Sequence, residues 1–244
     1  RTGAWIQSPG PPQTLRDGTL LWLSESTGYR HIYHITRNGK RKRSLTHGSW
    51  EVQKLLGVDQ PNGYVYFLGN KASGAEAHAY RVPLTGGPVT QLTKTAGNHA
   101  IRFNDSFSHY IDYVSGMHRP ISVSLHRADG TTVRSLAPNL VDYLSYYQLN
   151  EPEFRRYKAR DGHTLSGVLI KPSDFDPNKQ YPVLCHVYGG PQAPVVRNRW
   201  GGSTYLWHQY LAQQGYVIWI SDNRASTHEG VRSAWTIHKQ MGQT

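Results

Sequence analysis

The residues best suited to chemistry follow an apolar run in the last third of the sequence. The run 181–187 is typical of a strand buried on both faces, and Tyr188-Gly189-Gly190-Pro191 comes directly after it. Two glycines let the backbone turn sharply and approach a reacting group, while the proline stiffens the exit. Because ligands bind at the carboxyl edge of parallel sheets, we predict that this loop lines a ligand site.

Other groups of a complete catalytic centre are missing from the sequence. No Gly-x-Ser-x-Gly pattern occurs; in the nearest stretch, 201–205, Ser203 is predicted to cap a helix. No His-x-x-x-His or His-Glu-x-x-His spacing occurs either, so neither a metal site nor a cofactor is predicted. His186 is interpreted as a hydrogen-bonded core residue, with a ligand or base as the alternative. The single Cys185 excludes an internal disulfide and is predicted to be buried.

The elements that must position this loop alternate between strand and helix. A hairpin of segments 154–157 and 164–170 turns at Asp161-Gly162, and a helix is predicted over 204–214 with Gly215 as its stop. A second apolar run, 216–220, follows. Strand, helix and strand in this order predict a parallel pair with a right-handed crossover. The predicted apolar face of the helix consists of Leu206, Trp207, Tyr210 and Leu211.

The first 150 residues follow a different pattern, in which short strand-like segments are separated by glycine turns. Three hairpins repeat one unit, and their closing leucines lie 47 residues apart (Leu45 to Leu92) and 44 residues apart (Leu92 to Leu136). This spacing is close to one four-stranded propeller blade per period. We therefore predict a partial β-propeller of late blades over 1–150 and a second domain over 151–244. Segment 140–147 is predicted to be a connector packed against apolar surface.

Composition limits the class of protein further. The chain has 244 residues, of which 37% are hydrophobic and 11% aromatic, as in a globular strand-rich protein. No apolar run is long enough for a membrane span, and the start lacks both a signal peptide and a methionine, so we expect the chain to begin inside a longer polypeptide, called the parent protein below. The net charge of +11 includes a basic cluster at 37–43, which is interpreted as a solvated hairpin tip rather than a nucleic-acid or heparin site.

Several segments together resemble one family. Val187-Tyr188-Gly189-Gly190-Pro191 is similar to the oxyanion loop of the dipeptidyl peptidase IV branch of the prolyl oligopeptidase family of serine peptidases, in bacterial-type form. Segments 28–32 and 45–52 resemble late propeller blades of that family, and 205–217 resembles its first hydrolase helix and the following strand. Asp222-Asn223-Arg224-Ala225-Ser226 resembles a loop usually written Asp-Asn-Arg-Gly-Ser, with Ala225 in place of glycine. Met241-Gly242 falls where the family has Leu-Gly.

The resemblance implies a fold, an activity and one site residue. The fold would be the C-terminal blades of a β-propeller followed by the N-terminal part of an α/β-hydrolase domain. The parent protein would release dipeptides from peptide amino termini, with Pro or Ala in second position, and Tyr188 would donate its hydroxyl to the oxyanion. Nucleophile, Asp and His of the family come after Thr244, and the glutamates that bind the substrate's amino terminus come before Arg1. The chain alone would therefore be inactive.

The remaining expectations concern partners and alternatives. The resemblance implies peptide substrates and a homodimer as a candidate assembly of the parent protein, and it leaves the compartment open, with a soluble periplasmic or secreted protein as one candidate. Two alternatives from other classes stand beside the peptidase. One is a non-catalytic propeller-based binding module with an aromatic-rich surface, and the other is a basic polyanion-binding protein.

Overall fold

The structure is a computed structural model that describes residues 8, 10–40, 42–139, 141–226 and 229–240. Some features discussed above lie outside the described residues, namely Arg41, Leu140, Met241 and Gly242.

Three consecutive four-stranded antiparallel sheets occupy residues 13–137, and neighbouring strands follow one another in sequence. The first sheet contains β1 (Gln13–Thr14), β2 (Leu20–Ser24), β3 (His31–Ile35) and β4 (Lys42–Ser44). The second contains β5 (Val52–Asp59), β6 (Tyr64–Gly69), β7 (His78–Pro83) and β8 (Thr90–Gln91). The third contains β9 (Asn98–Phe103), β10 (His109–Gly116), β11 (Arg119–Arg127) and β12 (Thr132–Ala137).

The predicted hairpins are confirmed as the last two strands of each sheet. The Leu45 amide donates to the Ile32 carbonyl at 2.8 Å, and the Leu92 amide donates to the Ala79 carbonyl at the same distance, 47 residues later. Tight turns precede these strands, and glycine adopts the positive φ they need, as at Gly39 with φ 70°. The described part of the basic cluster lies on this exposed turn and on the exposed start of β4.

The three sheets pack face to face. One buried cluster joins the first two sheets and includes Leu21, Ile32, Val52 and Phe67. A second cluster centred on Tyr66, Ala79 and Leu92 carries the packing from the second sheet to the third. Consecutive four-stranded meanders stacked in this way have the form of propeller blades, so the predicted propeller-like form is confirmed for residues 13–137.

The connector after the third sheet contains a 3₁₀ helix, Asp142–Tyr146. Its tyrosines face solvent, with Tyr143 58%, Tyr146 85% and Tyr147 59% exposed. The prediction that this segment packs against apolar surface is therefore wrong for these side chains, because the short helical turn directs them away from the described remainder of the chain.

A fourth sheet has the order β13-β14-β16-β15 and mixed strand directions. Its elements are β13 (Glu153–Lys158), β14 (Thr164–Ile170), β15 (Val183–Val187), α1 (Gly202–Gln213), β16 (Val217–Ser221) and α2 (Val231–Trp235). The predicted hairpin forms the antiparallel pair β13–β14. The predicted parallel pair is confirmed, since β15 runs parallel to β16 in the register Val183 to Val217.

Strand β15 differs from its prediction in burial. Val183 is 62% and Val187 58% exposed, and Cys185 between them is exposed as well. The prediction of a strand buried on both faces, and of a buried thiol, is therefore wrong. The physical reason is position: among the described residues β15 is the outermost strand of its sheet, and only the face that carries Leu184 and His186 packs against other described parts of the chain.

Helix α1 also corrects two predictions. It begins at Gly202 after Gly201, without a side-chain cap, so Ser203 lies in the first turn rather than at the cap. Trp207 and Tyr210 are more than half exposed, whereas the buried residues are Tyr205, His208, Gln209 and Ala212. Polar Gln209 can be buried because its amide exchanges hydrogen bonds with the backbone of Asn150, at 2.7 and 2.9 Å.

The end of α1 agrees with its prediction. Gly215 has φ 88°, and the Tyr216 amide donates to the Leu211 carbonyl at 3.1 Å, as expected where a helix stops at a left-handed glycine. Neither helix, within the ranges described above, is long and apolar enough to cross a membrane.

Candidate functional site

The parallel pair brings two loops together at one edge of the fourth sheet. Tyr188 directly follows β15, and Asp222-Asn223 directly follow β16. Since β15 and β16 are parallel neighbours, their carboxyl ends meet at this edge, which is where such sheets place ligands. We call residues 188–196 the Tyr188 loop and residues 222–226 the supporting turn.

Tyr188 is half exposed at this edge, with 50% of its surface accessible. Its ring lies over the α-carbon of Gly190, where a β-carbon would stand 2.8 Å from Tyr188 Cε1. Gly189 has open space at the same position, and neither glycine has a positive φ. Gly190 is therefore needed for the space under the ring, which the sequence pattern alone did not distinguish from conformational freedom.

The supporting turn holds the start of the Tyr188 loop through Asn223. The Asn223 side-chain amide donates to the Tyr188 carbonyl at 2.8 Å and to the Gly190 carbonyl at 2.9 Å. Its Oδ1 accepts from the Ala225 amide at 2.7 Å. Ala225 itself is fully buried and has no positive φ, so its methyl group stands in for glycine without backbone strain.

The same turn holds the middle and end of the loop. The Gln192 amide donates to the Ala225 carbonyl at 3.0 Å, with Gln192 in the left-handed region at φ 59°. Asp222 Oδ1 accepts from the Val195 amide at 2.6 Å and from the Val196 amide at 3.3 Å. Burial raises the pKa of Asp222, although these two bonds oppose the rise. The loop is thus fixed to one turn at its start, middle and end.

His186 of β15 and His208 of α1 form a pair of histidines. The Nδ1 atom of His186 and the Nε2 atom of His208 are 3.1 Å apart, and the rings meet edge to face. His208 is buried, and burial, together with the neighbouring His186, lowers its pKa to about 4. His186 is therefore hydrogen-bonded, as interpreted from the sequence, but it is only half-buried, so its interpretation as a core residue is wrong.

The arrangement can stabilise negative charge at the sheet edge. Within the described ranges, the Tyr188 hydroxyl has no hydrogen-bond partner, so its proton is available to an acceptor that enters from solvent. A phenol held on a rigid loop is a suitable donor to a developing oxyanion. The described residues contain no group of three or more His, Cys, Asp or Glu side chains that could hold a metal ion.

A second polar cluster ties the second and third sheets to Asn198, which lies two residues after the Tyr188 loop. Glu76 accepts from Asn198 Nδ2 at 2.7 Å and lies 3.0 Å from His78 Nε2. Burial acts to raise the pKa of Glu76, but the bonds from His78 and Asn198 outweigh it and the pKa lies below its ordinary value. Asn198 also accepts from the Met117 amide at 2.9 Å. The sequence interpretation missed this cluster.

A repeat in the sequence could have identified part of this polar cluster. The pairs His31–Thr46 and His78–Thr93 recur 47 residues apart, and in both sheets the histidine Nδ1 lies 3.1 Å from the threonine Oγ1. In the first sheet the other ring nitrogen faces the Gly48 carbonyl, whereas in the second it faces the Glu76 carboxylate. The repeat is readable in the sequence, but the carboxylate and its Asn198 partner are not.

A cleft of about 300 Å³ adjoins this cluster and separates the second sheet from the fourth. Its lining includes Glu76, Asn198 and the charged Arg155 and Arg156 of β13. The cleft therefore offers charges of both signs between the propeller-like sheets and the mixed sheet.

Comparison with known proteins agrees with this architecture. Residues 1–121 match the family model described as the dipeptidyl peptidase IV N-terminal region. Human dipeptidyl peptidase 8 is 33% identical over 92% of this chain, and dipeptidyl peptidase 4 of Trichophyton equinum is 29% identical over 90% of it. The crystal structure of Porphyromonas gingivalis dipeptidyl peptidase 4 superimposes with a TM-score of 0.87 over 95% of this chain, at 31% identity.

The chain therefore belongs to the dipeptidyl peptidase IV family, as its sequence motifs predicted. Its mostly antiparallel sheets correspond to the propeller region of the solved relative. The chain spans 29% of the length of human dipeptidyl peptidase 8 and 33% of the Porphyromonas gingivalis chain.

Proposed function

We propose that the parent protein is a serine-type dipeptidyl peptidase and that Tyr188 is an oxyanion-hole donor in it. The observation that carries this proposal is the half-exposed Tyr188 at the carboxyl edge of the parallel pair β15–β16, on a loop fixed by the supporting turn. The names of the relatives support a dipeptidyl peptidase. The proposal adds that its substrates are peptides whose amino-terminal dipeptide ends in Pro or Ala.

In this proposal the chain divides near residue 151. Residues 1–150 would be the late blades of a propeller, and residues 151–244 the first part of an α/β-hydrolase domain. The strand, helix and strand order of β15, α1 and β16 supports the second assignment, because parallel strands joined by a crossover helix are the unit of such domains. The nucleophile, its histidine and its aspartate would come from other parts of the parent protein, and a homodimer is its candidate assembly.

The mechanism gives Tyr188 one task. A serine activated by histidine would attack the scissile carbonyl, and the Tyr188 hydroxyl would donate to the oxygen as negative charge develops there. Since this hydrogen bond strengthens in the transition state, it contributes to kcat rather than to substrate binding. This chain alone supplies the donor without the nucleophile, so we expect it to be inactive.

The decisive variant is Tyr188→Phe in the intact parent protein. Loss of one oxyanion donor typically lowers kcat by about 10²- to 10³-fold, and KM should change little. Tyr216→Phe is the matched control, because Tyr216 is also partly exposed but lies at the opposite end of β16. Unchanged kcat in Tyr188→Phe would refute the oxyanion role.

A separate measurement tests the inactivity of the chain. The 244 residues alone, incubated with a Gly-Pro chromogenic substrate, should release no product above the uncatalysed rate. Turnover at enzyme-like rates would show that a nucleophile lies within these residues, against the proposal.

A further inference from the structure

The side chain of Asn223 uses both of its amide hydrogens to hold the Tyr188 loop in place. One amide donates to two carbonyls, those of Tyr188 and Gly190, at 2.8 and 2.9 Å. The acceptor oxygen is occupied by the Ala225 amide at 2.7 Å, which fixes the side chain within its own turn. Asn223 thus links the ends of the two parallel strands by hydrogen bonds.

The two carbonyls that Asn223 holds lie on either side of Gly189. Orienting the Tyr188 carbonyl fixes ψ of Tyr188, and orienting the Gly190 carbonyl fixes the surface on which the Tyr188 ring rests. The direction of the ring, and hence the location of its hydroxyl, depends on both. Among the described residues, no other side chain donates a hydrogen bond to these two carbonyls.

We propose that Asn223 is a positioning residue that sets the location of the Tyr188 hydroxyl. This inference rests on the proposed oxyanion role of Tyr188. It requires that Asn223 itself does not touch the substrate, which fits both of its amide hydrogens being donated to backbone carbonyls and its oxygen accepting from the Ala225 amide. Because a donor displaced by about 1 Å can lose up to about 100-fold in rate, a loosened loop should reduce kcat without weakening substrate binding.

A double-mutant cycle in the intact parent protein tests the inference, with the variants Asn223→Asp, Tyr188→Phe and the pair. Aspartate keeps the acceptor for Ala225 but has no proton to donate, so it repels the two carbonyls. Asn223→Asp should lower kcat by about 10- to 100-fold, with KM within about threefold. In the Tyr188→Phe background the same change should cost less than about threefold, because the hydroxyl it positions is absent.

The outcomes separate this inference from the proposed function. Equal losses from Asn223→Asp in both backgrounds, or no loss in either, would overturn the positioning role. If Tyr188→Phe alone has no effect, the oxyanion role itself fails. Asn223→Ala repeats the cycle if the aspartate variant does not fold, with the same expected coupling. Asn178→Ala is the control, since Asn178 is an exposed asparagine that bonds only within the turn of Asp176 and should leave kcat unchanged.

Discussion

The ring of Tyr188 rests on the α-carbon of Gly190, so closely that a β-carbon there would lie 2.8 Å from Cε1 and 3.3 Å from the hydroxyl oxygen. The adjacent Gly189 has nothing within 4 Å of its β-carbon position. Of these two consecutive glycines, only Gly190 must lack a side chain to leave room for the Tyr188 ring, although neither has a positive φ.

Gly190→Ala should consequently displace the Tyr188 ring, whereas Gly189→Ala should not. In the intact parent protein, we expect Gly190→Ala to lower kcat about tenfold or more, because the hydroxyl moves away from the developing charge. Gly189→Ala should retain kcat within about threefold and is the matched control. Steady-state kinetics on a Gly-Pro substrate checks both. Similar losses in the two variants would show that the loop needs glycine flexibility rather than space.

Gln192 makes a second prediction about the same loop. Its φ of 59° suits glycine better than glutamine, and its amide donates to the Ala225 carbonyl. Gln192→Pro forces φ near −65° and removes this donor, so it should destabilise the folded loop by about 3 kcal/mol or more. Gln192→Gly fits the backbone and should change stability by less than about 1 kcal/mol. Denaturant titration measures both, and a proline variant as stable as the glycine variant would contradict the left-handed conformation.

A feature of the structure could be predicted where its signal lies in neighbouring residues, and could not where it depends on residues distant in sequence. The hairpins, the family and the parallel pair were predictable, because glycine turns, 47-residue repeats and apolar runs are local signals. The exposure of Val183 and Cys185 among the described residues was not, since an apolar run cannot show whether its strand has a neighbour on both sides. Likewise, Gln209 and His208 are polar by composition and become buried only because Asn150 and His186 offer partners distant in sequence.

The repeated His–Thr pair gives a stability prediction for the propeller-like sheets. Buried Thr93 Oγ1 accepts from the Ala79 amide at 3.0 Å and lies 3.1 Å from His78 Nδ1. Thr93→Val keeps the shape but leaves the amide without its acceptor, so we expect a loss of about 1–3 kcal/mol. Hydrogen exchange measures this loss locally, since the Ala79 amide should exchange faster in the variant.

The first sheet supplies an independent repeat of this test. Thr46 Oγ1 accepts from the Ile32 amide at 3.0 Å, so Thr46→Val should speed exchange at Ile32 in the same way. Thr90→Val, at an exposed position of β8, is the control and should leave both amides protected. Unchanged exchange at Ala79 and Ile32 in the two variants would show that the threonine hydroxyls do not stabilise the sheets.

The His186–His208 pair makes the fourth sheet sensitive to acid. The folded-state pKa of His208, lowered to about 4, lies below the value near 6.5 that the unfolded chain would have. Because the pKa of His208 is lower in the folded state, this side chain binds more protons in the unfolded chain at acidic pH. The folded state is therefore destabilised as the pH falls from about 6.5 to about 4. Between pH 7 and pH 5 this loss amounts to about 2 kcal/mol.

His208→Gln should remove this part of the pH dependence, because glutamine keeps a polar group near His186 but does not titrate. Denaturant unfolding of the intact parent protein at pH 7 and pH 5 measures the difference, and the native protein should lose about 2 kcal/mol more than the variant. Asn178→Gln is the control, since it exchanges one exposed amide side chain that does not titrate for another and should leave the pH dependence as it is. If His208→Gln loses as much stability as the native protein between these two pH values, His208 is not the group whose protonation opposes the folded state.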